Sequence, residues 1–194
     1  MKYETLYDAL YESGYHNNFD LNNTSEIYAH IKDFIPLGHK LLDIGCSHGA
    51  AVKDLVDKGY DAYGIDISER AIELCKKQNI KNCKKASIVK TEYPDNSFDA
   101  LVSSDTFEHL DPKEIGPAID ECKRLLKTKG VAILSIATKP EINRTFDFIA
   151  KKYKLKDLHT SVYESRLWHR RFSSLFRILA FIDQKDKAIF ILTH

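Results

Sequence analysis

Residues 131–137 read VAILSIA, an apolar run that only Ser135 interrupts. A strand of this kind has no face suited to water, so it belongs in a sheet covered on both sides. Earlier runs repeat the pattern: KLLDI at 40–44, DAYGIDI at 61–67, a weaker strand at 83–89, and FDALVSS at 98–104 after the turn PDNS. Helical patterns separate them. Residues 25–35 align Ile27, Ile31, Phe34 and Ile35 before Pro36; 50–58 turn Val52, Leu55 and Val56 inward and stop at Gly59. Residues 69–78, capped by Ser68, align Ala71, Ile72, Leu74 and Cys75. Asp111-Pro112-Lys113-Glu114 matches a helix start, with Gly116-Pro117 dividing a short turn from a longer helix that reaches Gly130. Further helices are predicted over 141–153 and 172–181. Parallel strands need crossovers, and right-handed helical crossovers cover both faces. The expected fold is α/β: a three-layer sandwich around a mostly parallel sheet, with KAIFILT at 187–193 as an antiparallel C-terminal edge strand.

A chain of 194 residues, 43% hydrophobic, can bury one sizeable core, so 1–194 is read as a single domain. Lys plus Arg number 29 against 28 for Asp plus Glu, which gives no overall bias toward nucleic acid, although 151–177 is locally basic. The cysteines Cys46, Cys75, Cys83 and Cys122 form no C-x-x-C pair and read as reduced thiols of a cytoplasmic protein. No metal-ligand spacing is evident, and no metal is expected. No apolar run approaches the roughly 20 residues of a membrane span, and MKYETLYDAL lacks the order of a secretory signal.

In open parallel sheets ligands bind beyond the C-terminal strand ends, where strand order reverses. The stretches 43–49, 66–68, 86–88 and 103–109 therefore form the candidate rim. Within the first, GCSHG fits two devices. As G-x-S-x-G it would present Ser47 as an esterase nucleophile, but that needs an oxyanion loop from an earlier strand, which has no obvious home here. As a strand-to-helix turn it would admit a nucleotide-like cofactor, and this predicts an acid about 20 residues on to accept from ribose hydroxyls. Asp66 stands there. A dinucleotide turn would carry later glycines where Ser47, Ala50 and Ala51 stand, and Asp43 before the loop would repel pyrophosphate while suiting an ammonium or sulfonium.

LLDIGCSHG, YGIDIS and YPDNSFDALVSSDTFEHL, in that order, resemble three motifs of the class I S-adenosylmethionine-dependent methyltransferases, particularly the type 11 group. The resemblance covers roughly 40–137 and implies a Rossmann-like domain that binds S-adenosyl-L-methionine. It divides the chain into a helical lid over 1–36, a donor-binding core over 37–137 and a variable acceptor-side region over 138–194. It also implies that Asp43 and Gly45, with Cys46, Ser47 and Gly49 completing the loop, face the methionine moiety. Asp66 would hold the ribose hydroxyls, Ile67 would lie on the adenine, Ser87 and Ile88 would line the adenine edge, and Ser104 and Asp105 the methionine end. Ser47 replaces the family's middle glycine, and Ser87 replaces an Asp that accepts from the adenine amino group.

Methyl transfer from a sulfonium is an in-line displacement, so alignment and exclusion of water dominate, and an acceptor hydroxyl needs a base. His109 is the candidate base and Glu108 is read as solvated. His159, Tyr163, Trp168, His169 and Arg170 are candidates to close over the acceptor, with LWHRR offering an aromatic face and guanidinium groups to a planar or phosphate-bearing molecule. Tyr3, Tyr7, Tyr11 and Tyr15, at four-residue spacing, form one side of a helix or lid. The expected function is methyl transfer to a small molecule, at oxygen before nitrogen. The rivals are a degenerate fold that only binds, motivated by Ser47 and Ser87, and a nucleic-acid methyltransferase that uses the basic segment. The fourth strand lacks an Asn/Asp-Pro-Pro-aromatic signature, which disfavours the latter.

Overall fold

The apolar runs pair side by side, and the amphipathic helices between them cover the resulting sheet. The computed structural model describes residues 2–14, 27–139, 151 and 161–194. Its strands are β1 Lys40–Ile44, β2 Asp61–Asp66, β3 Cys83–Lys85, β4 Phe98–Ser104, β5 Leu126–Ala137, β6 Arg177–Asp183 and β7 Lys187–Thr193, in the order β3-β2-β1-β4-β5-β7-β6. β1 to β5 run parallel, and β7 runs antiparallel to both β5 and β6. The helices are α1 Lys2–Glu12, α2 Ile27–Phe34, α3 Ala50–Asp57, α4 Glu69–Lys77, α5 Ile115–Leu125 and α6 Ser165–Ser173, with a 3-10 turn at Phe107–His109. None of the described helices is long and apolar enough to cross a membrane.

Alternate residues of each strand point to opposite faces. Leu41, Ala100, Val102 and Ile133 meet Ile27 and Ile31 of α2, Val52 and Leu55 of α3, and Ile72 of α4. Leu42, Leu101, Leu134 and Phe190 meet Ile119 and Cys122 of α5 and Trp168 and Phe172 of α6. The helix capped by Ser68 forms as predicted, the Ser68 Oγ accepting from the Ala71 N–H at 3.1 Å.

Four expectations are corrected. The helix predicted over 172–181 is instead the end of α6 followed by β6. Ile178, Ala180 and Ile182 are half-buried while Leu179 and Phe181 are exposed, the two-residue period of a strand, and pairing with β7 decides the conformation. As a consequence β7 is not the edge. It lies between β5 and β6 with Ala188 to Leu192 buried. The helix predicted to reach Gly130 ends at Leu125, because Leu126 pairs with Phe98 and begins β5, and a register shift follows before Val131 pairs with Ala100. The third strand stops at Lys85, and Ser87 and Lys90 then close a tight turn. The helix predicted over 141–153 lies outside the described residues except Lys151.

Candidate functional site

Sheet order reverses at β1, whose neighbours are β2 and β4, so the loops that leave β1 and β4 border one crevice. The loop after β1 turns through three left-handed residues, Gly45 (φ 78°), Ser47 (φ 53°) and Gly49 (φ 83°). Gly45 and Cys46 both donate to the Ile65 carbonyl at 2.9 Å, and the Ser47 N–H donates to Asp66 Oδ2 at 2.9 Å. The loop is thereby tied to the end of β2. A Cβ on Gly45 would stand 2.2 Å from Thr106 Oγ1, which donates to the Ile44 carbonyl at 3.1 Å. Thr106, unremarked in the sequence, thus sets the floor of the loop from β4.

Ser47 pays for its left-handed backbone. Its hydroxyl lies 3.1 Å from His48 Nδ1. Ser47→Gly is expected to raise stability by roughly 1 kcal/mol through relief of that strain. Chemical denaturation reads the change, and a lower midpoint would show that the hydroxyl's bond outweighs the backbone.

Of the acids at this rim, Asp43, Asp66 and Glu108 are buried and Asp105 is half-buried. Asp43 accepts from the Tyr28 hydroxyl of α2 at 3.0 Å, while its Oδ2 has no partner among the described residues. Burial pushes its carboxyl up to about 7, the Tyr28 bond opposing and the Asp66 charge adding. Asp66 accepts from the Ser47 and Ser68 N–H groups, each at 2.9 Å, yet burial outweighs them and raises it to about 6. Asp105 (φ 53°) takes Lys187 Nζ at 2.8 Å and the Ser104 hydroxyl at 3.1 Å on Oδ2, leaving Oδ1 without a partner among the described residues. Glu108 is not solvated but fully buried; Oε1 accepts from the Ala137 N–H at 3.0 Å, and burial, then the charge of Asp105, push it up to about 8. Buried acceptor oxygens without donors favour a ligand that brings positive charge or hydroxyls.

Over this floor lies α1. Leu6 and Leu10 are buried, and Asp8 accepts from the Ser68 hydroxyl at 2.5 Å and from the Arg70 N–H at 3.1 Å. Glu4 pairs with Lys85, and the Tyr7 ring meets the edge of His109 at 5.9 Å. The helix therefore spans from the β2 and β3 ends to the turn that carries His109. Tyr15 lies outside the described residues. Ile67, half-buried, follows Asp66 at the rim. The Ser87 hydroxyl accepts from the Val89 N–H at 3.4 Å within its own turn, and Ile88 is buried in the core.

On the acceptor side, Ser161 ties the C-terminal region to the His109 turn: its N–H donates to the Glu108 carbonyl at 2.9 Å and its hydroxyl to the Leu110 carbonyl at 2.6 Å. Tyr163 is half-buried, with Arg171 5.1 Å above its ring. Trp168 is a core residue, fully buried, edge-on to Phe107 at 6.3 Å and stacked on Phe172 at 5.8 Å. One helical turn apart, Trp168 and Phe172 fix the inward face of α6, which leaves His169 and Arg170 exposed. His169 packs on Phe181 of β6 at 5.5 Å, four strands from β1. The structure therefore does not bring Trp168 or His169 to the crevice. His159 lies outside the described residues.

The family model of the methyltransferase domain matches residues 42–134. The ubiquinone biosynthesis O-methyltransferase of Haemophilus ducreyi is 29% identical over 163 residues, 76% of this chain and 64% of that protein. The chain spans 53% to 64% of the length of three curated relatives, two of them ubiquinone biosynthesis O-methyltransferases. Among solved structures, the PH0226 protein of Pyrococcus horikoshii OT3 aligns with a TM-score of 0.68 at 19% identity, over 93% of this chain and 98% of that one. A SAM-dependent methyltransferase from Aquifex aeolicus aligns with a TM-score of 0.65 at 21% identity, over 86% and 88%. At these identities the solved structures share the fold.

Proposed function

We propose, because residues 42–134 match the model of the methyltransferase domain family, that the chain transfers a methyl group from S-adenosyl-L-methionine to a small hydroxyl-bearing acceptor. The observation that carries this reading is the bond from the Ser47 N–H to Asp66, which locks a glycine-flanked loop to a buried acid at the sheet's switch point. The residues fit such a donor. Asp66 uses one lone pair of each oxygen on the backbone, so further lone pairs remain for two ribose hydroxyls. Asp43 Oδ2, buried without a partner among the described residues, suits the cationic methionine moiety.

S-adenosyl-L-methionine supplies an electrophilic methyl on a sulfonium. The chain binds, orients and shields. Asp43, Gly45, Ser104 and Asp105 would hold the methionine end, Asp66 the ribose, and Ile67, Ser87 and Ile88 the adenine. α1 serves as the lid that excludes water, with Tyr11 and Asp8 closing over the Asp66 end. His109 would take the acceptor's hydroxyl proton on a ring nitrogen.

Calorimetry with S-adenosyl-L-methionine and its demethylated product tests donor binding, and a folded preparation that binds neither overturns the reading. Label transfer from methyl-labelled donor into a panel of small hydroxy compounds tests the acceptor class. With any acceptor found, His109→Ala is expected to lower turnover by roughly 10²–10⁴-fold while donor affinity stays. Unaltered turnover would leave His109 a packing partner of Tyr7.

A further inference from the structure

Beneath the loop of 45–49, three thiols from separate elements converge: Cys46 of the loop itself, Cys75 of α4 and Cys83 at the start of β3. Their Sγ atoms all lie within 4.8 Å of one another and all three residues are buried. Three sulfurs bound at about 2.3 Å to one ion stand roughly 4 Å apart in a trigonal arrangement, so the set needs only a small contraction to close on a metal. The surroundings leave room for the sulfurs. A Cβ on Gly49 would come 2.9 Å from Cys75 Sγ and 3.2 Å from Cys83 Sγ, and a Cβ on Gly64 would come 2.7 Å from Cys46 Sγ. Glycine at both positions keeps this sulfur pocket clear.

We propose that Cys46, Cys75 and Cys83 form a three-thiolate site for one thiophilic d10 cation, Cu⁺ or Zn²⁺. Among the described residues the group contains cysteines alone, with no histidine or carboxylate in it, and an all-sulfur set selects soft ions over Mg²⁺, Ca²⁺ or Mn²⁺. The Ser47 carbonyl lies 3.4 Å from Cys75 Sγ and 3.7 Å from Cys46 Sγ, close enough to complete a four-coordinate shell. That would favour Zn²⁺, and three-coordination would favour Cu⁺. Each thiol that binds loses its proton to solvent, and no electron is exchanged. The ion would join the loop to α4 and β3, and the site stands independently of methyl transfer.

Titration of the reduced, chelator-treated protein with Zn²⁺ alone, and under anaerobic conditions with Cu⁺ alone, tests the site. The expected result is one tightly held ion per chain for at least one of the two metals, with protons released in weak buffer and a raised melting temperature. Cys75→Ser and Cys83→Ser should each weaken binding by more than about 100-fold, while Cys122→Ser, at a thiol on the opposite face of the sheet, should not. The parent protein decides the matter even where a variant fails to fold. Absence of stoichiometric binding for both metals overturns the proposal, as does binding that survives in Cys75→Ser and Cys83→Ser.

Discussion

Asp66→Ala is expected to weaken binding of S-adenosyl-L-methionine by about 1–3 kcal/mol, roughly 5- to 150-fold, through loss of charge-assisted bonds to the ribose. The loop should loosen as well, because the Ser47 and Ser68 N–H groups each lose an acceptor at 2.9 Å in a buried place. Calorimetry separates the two effects when run beside thermal unfolding of the apoprotein: unchanged affinity removes Asp66 from the ribose role, whatever happens to stability. The pH dependence adds an independent signature. Burial raises the Asp66 carboxyl to about 6. Its ionised form is the better acceptor for hydroxyls, so its contribution to affinity should be full above that value and fall as the pH drops through it. Asp43, at about 7, acts in the same direction, so Asp66→Asn should flatten only the lower part of the profile. The apoprotein behaves oppositely. A carboxyl raised on folding contributes stability that is present below its unfolded value of about 4 and lost as the pH rises through its folded value. Donor binding would offset that loss.

That Asp66 ends a strand beside the loop was legible from sequence, because a strand end and a loop 20 residues earlier are local facts, and parallel pairing of β1 with β2 brings them together. Asp43 was legible as an acid before the loop, yet its partner Tyr28 was not: the two are joined through the packing of α2 on the sheet, which no spacing encodes. The same limit hid Thr106 beneath Gly45 and the meeting of Cys46 with Cys75 and Cys83. Glu108 was misread for a related reason. An acid in a polar loop reads as solvated, and only the Ala137 N–H at the end of β5 and the overlying Ser161 segment make its site an interior one. In FRILAFI the apolar residues satisfy a helix nearly as well as a strand, and the open hydrogen-bonding edge of β7 selected the strand. Trp168 was read as closing over the acceptor, but it lies on α6, whose phase points it inward with Phe172.

Gly45→Ala should be the most destructive single change, because two penalties coincide at one atom. The backbone at φ 78° costs a residue with a Cβ about 1–2 kcal/mol. The new Cβ would also stand 2.2 Å from Thr106 Oγ1, which is held by bonds to the Ile44 and Ser104 carbonyls at 3.1 and 3.2 Å. Displacing that side chain adds roughly 1–3 kcal/mol of overpacking, so a loss of about 2–5 kcal/mol in denaturant unfolding is expected, with donor binding lost alongside it. The two penalties can be separated. Thr106→Ala removes the clashing oxygen and leaves the backbone strain, so the double variant should recover the packing part and no more. A double-mutant cycle with a coupling energy near zero would mean that the chain relieves Gly45→Ala by moving the loop. In that case Ser47 and Asp66 would part as well, and the donor affinity of the double variant would stay as low as that of Gly45→Ala alone.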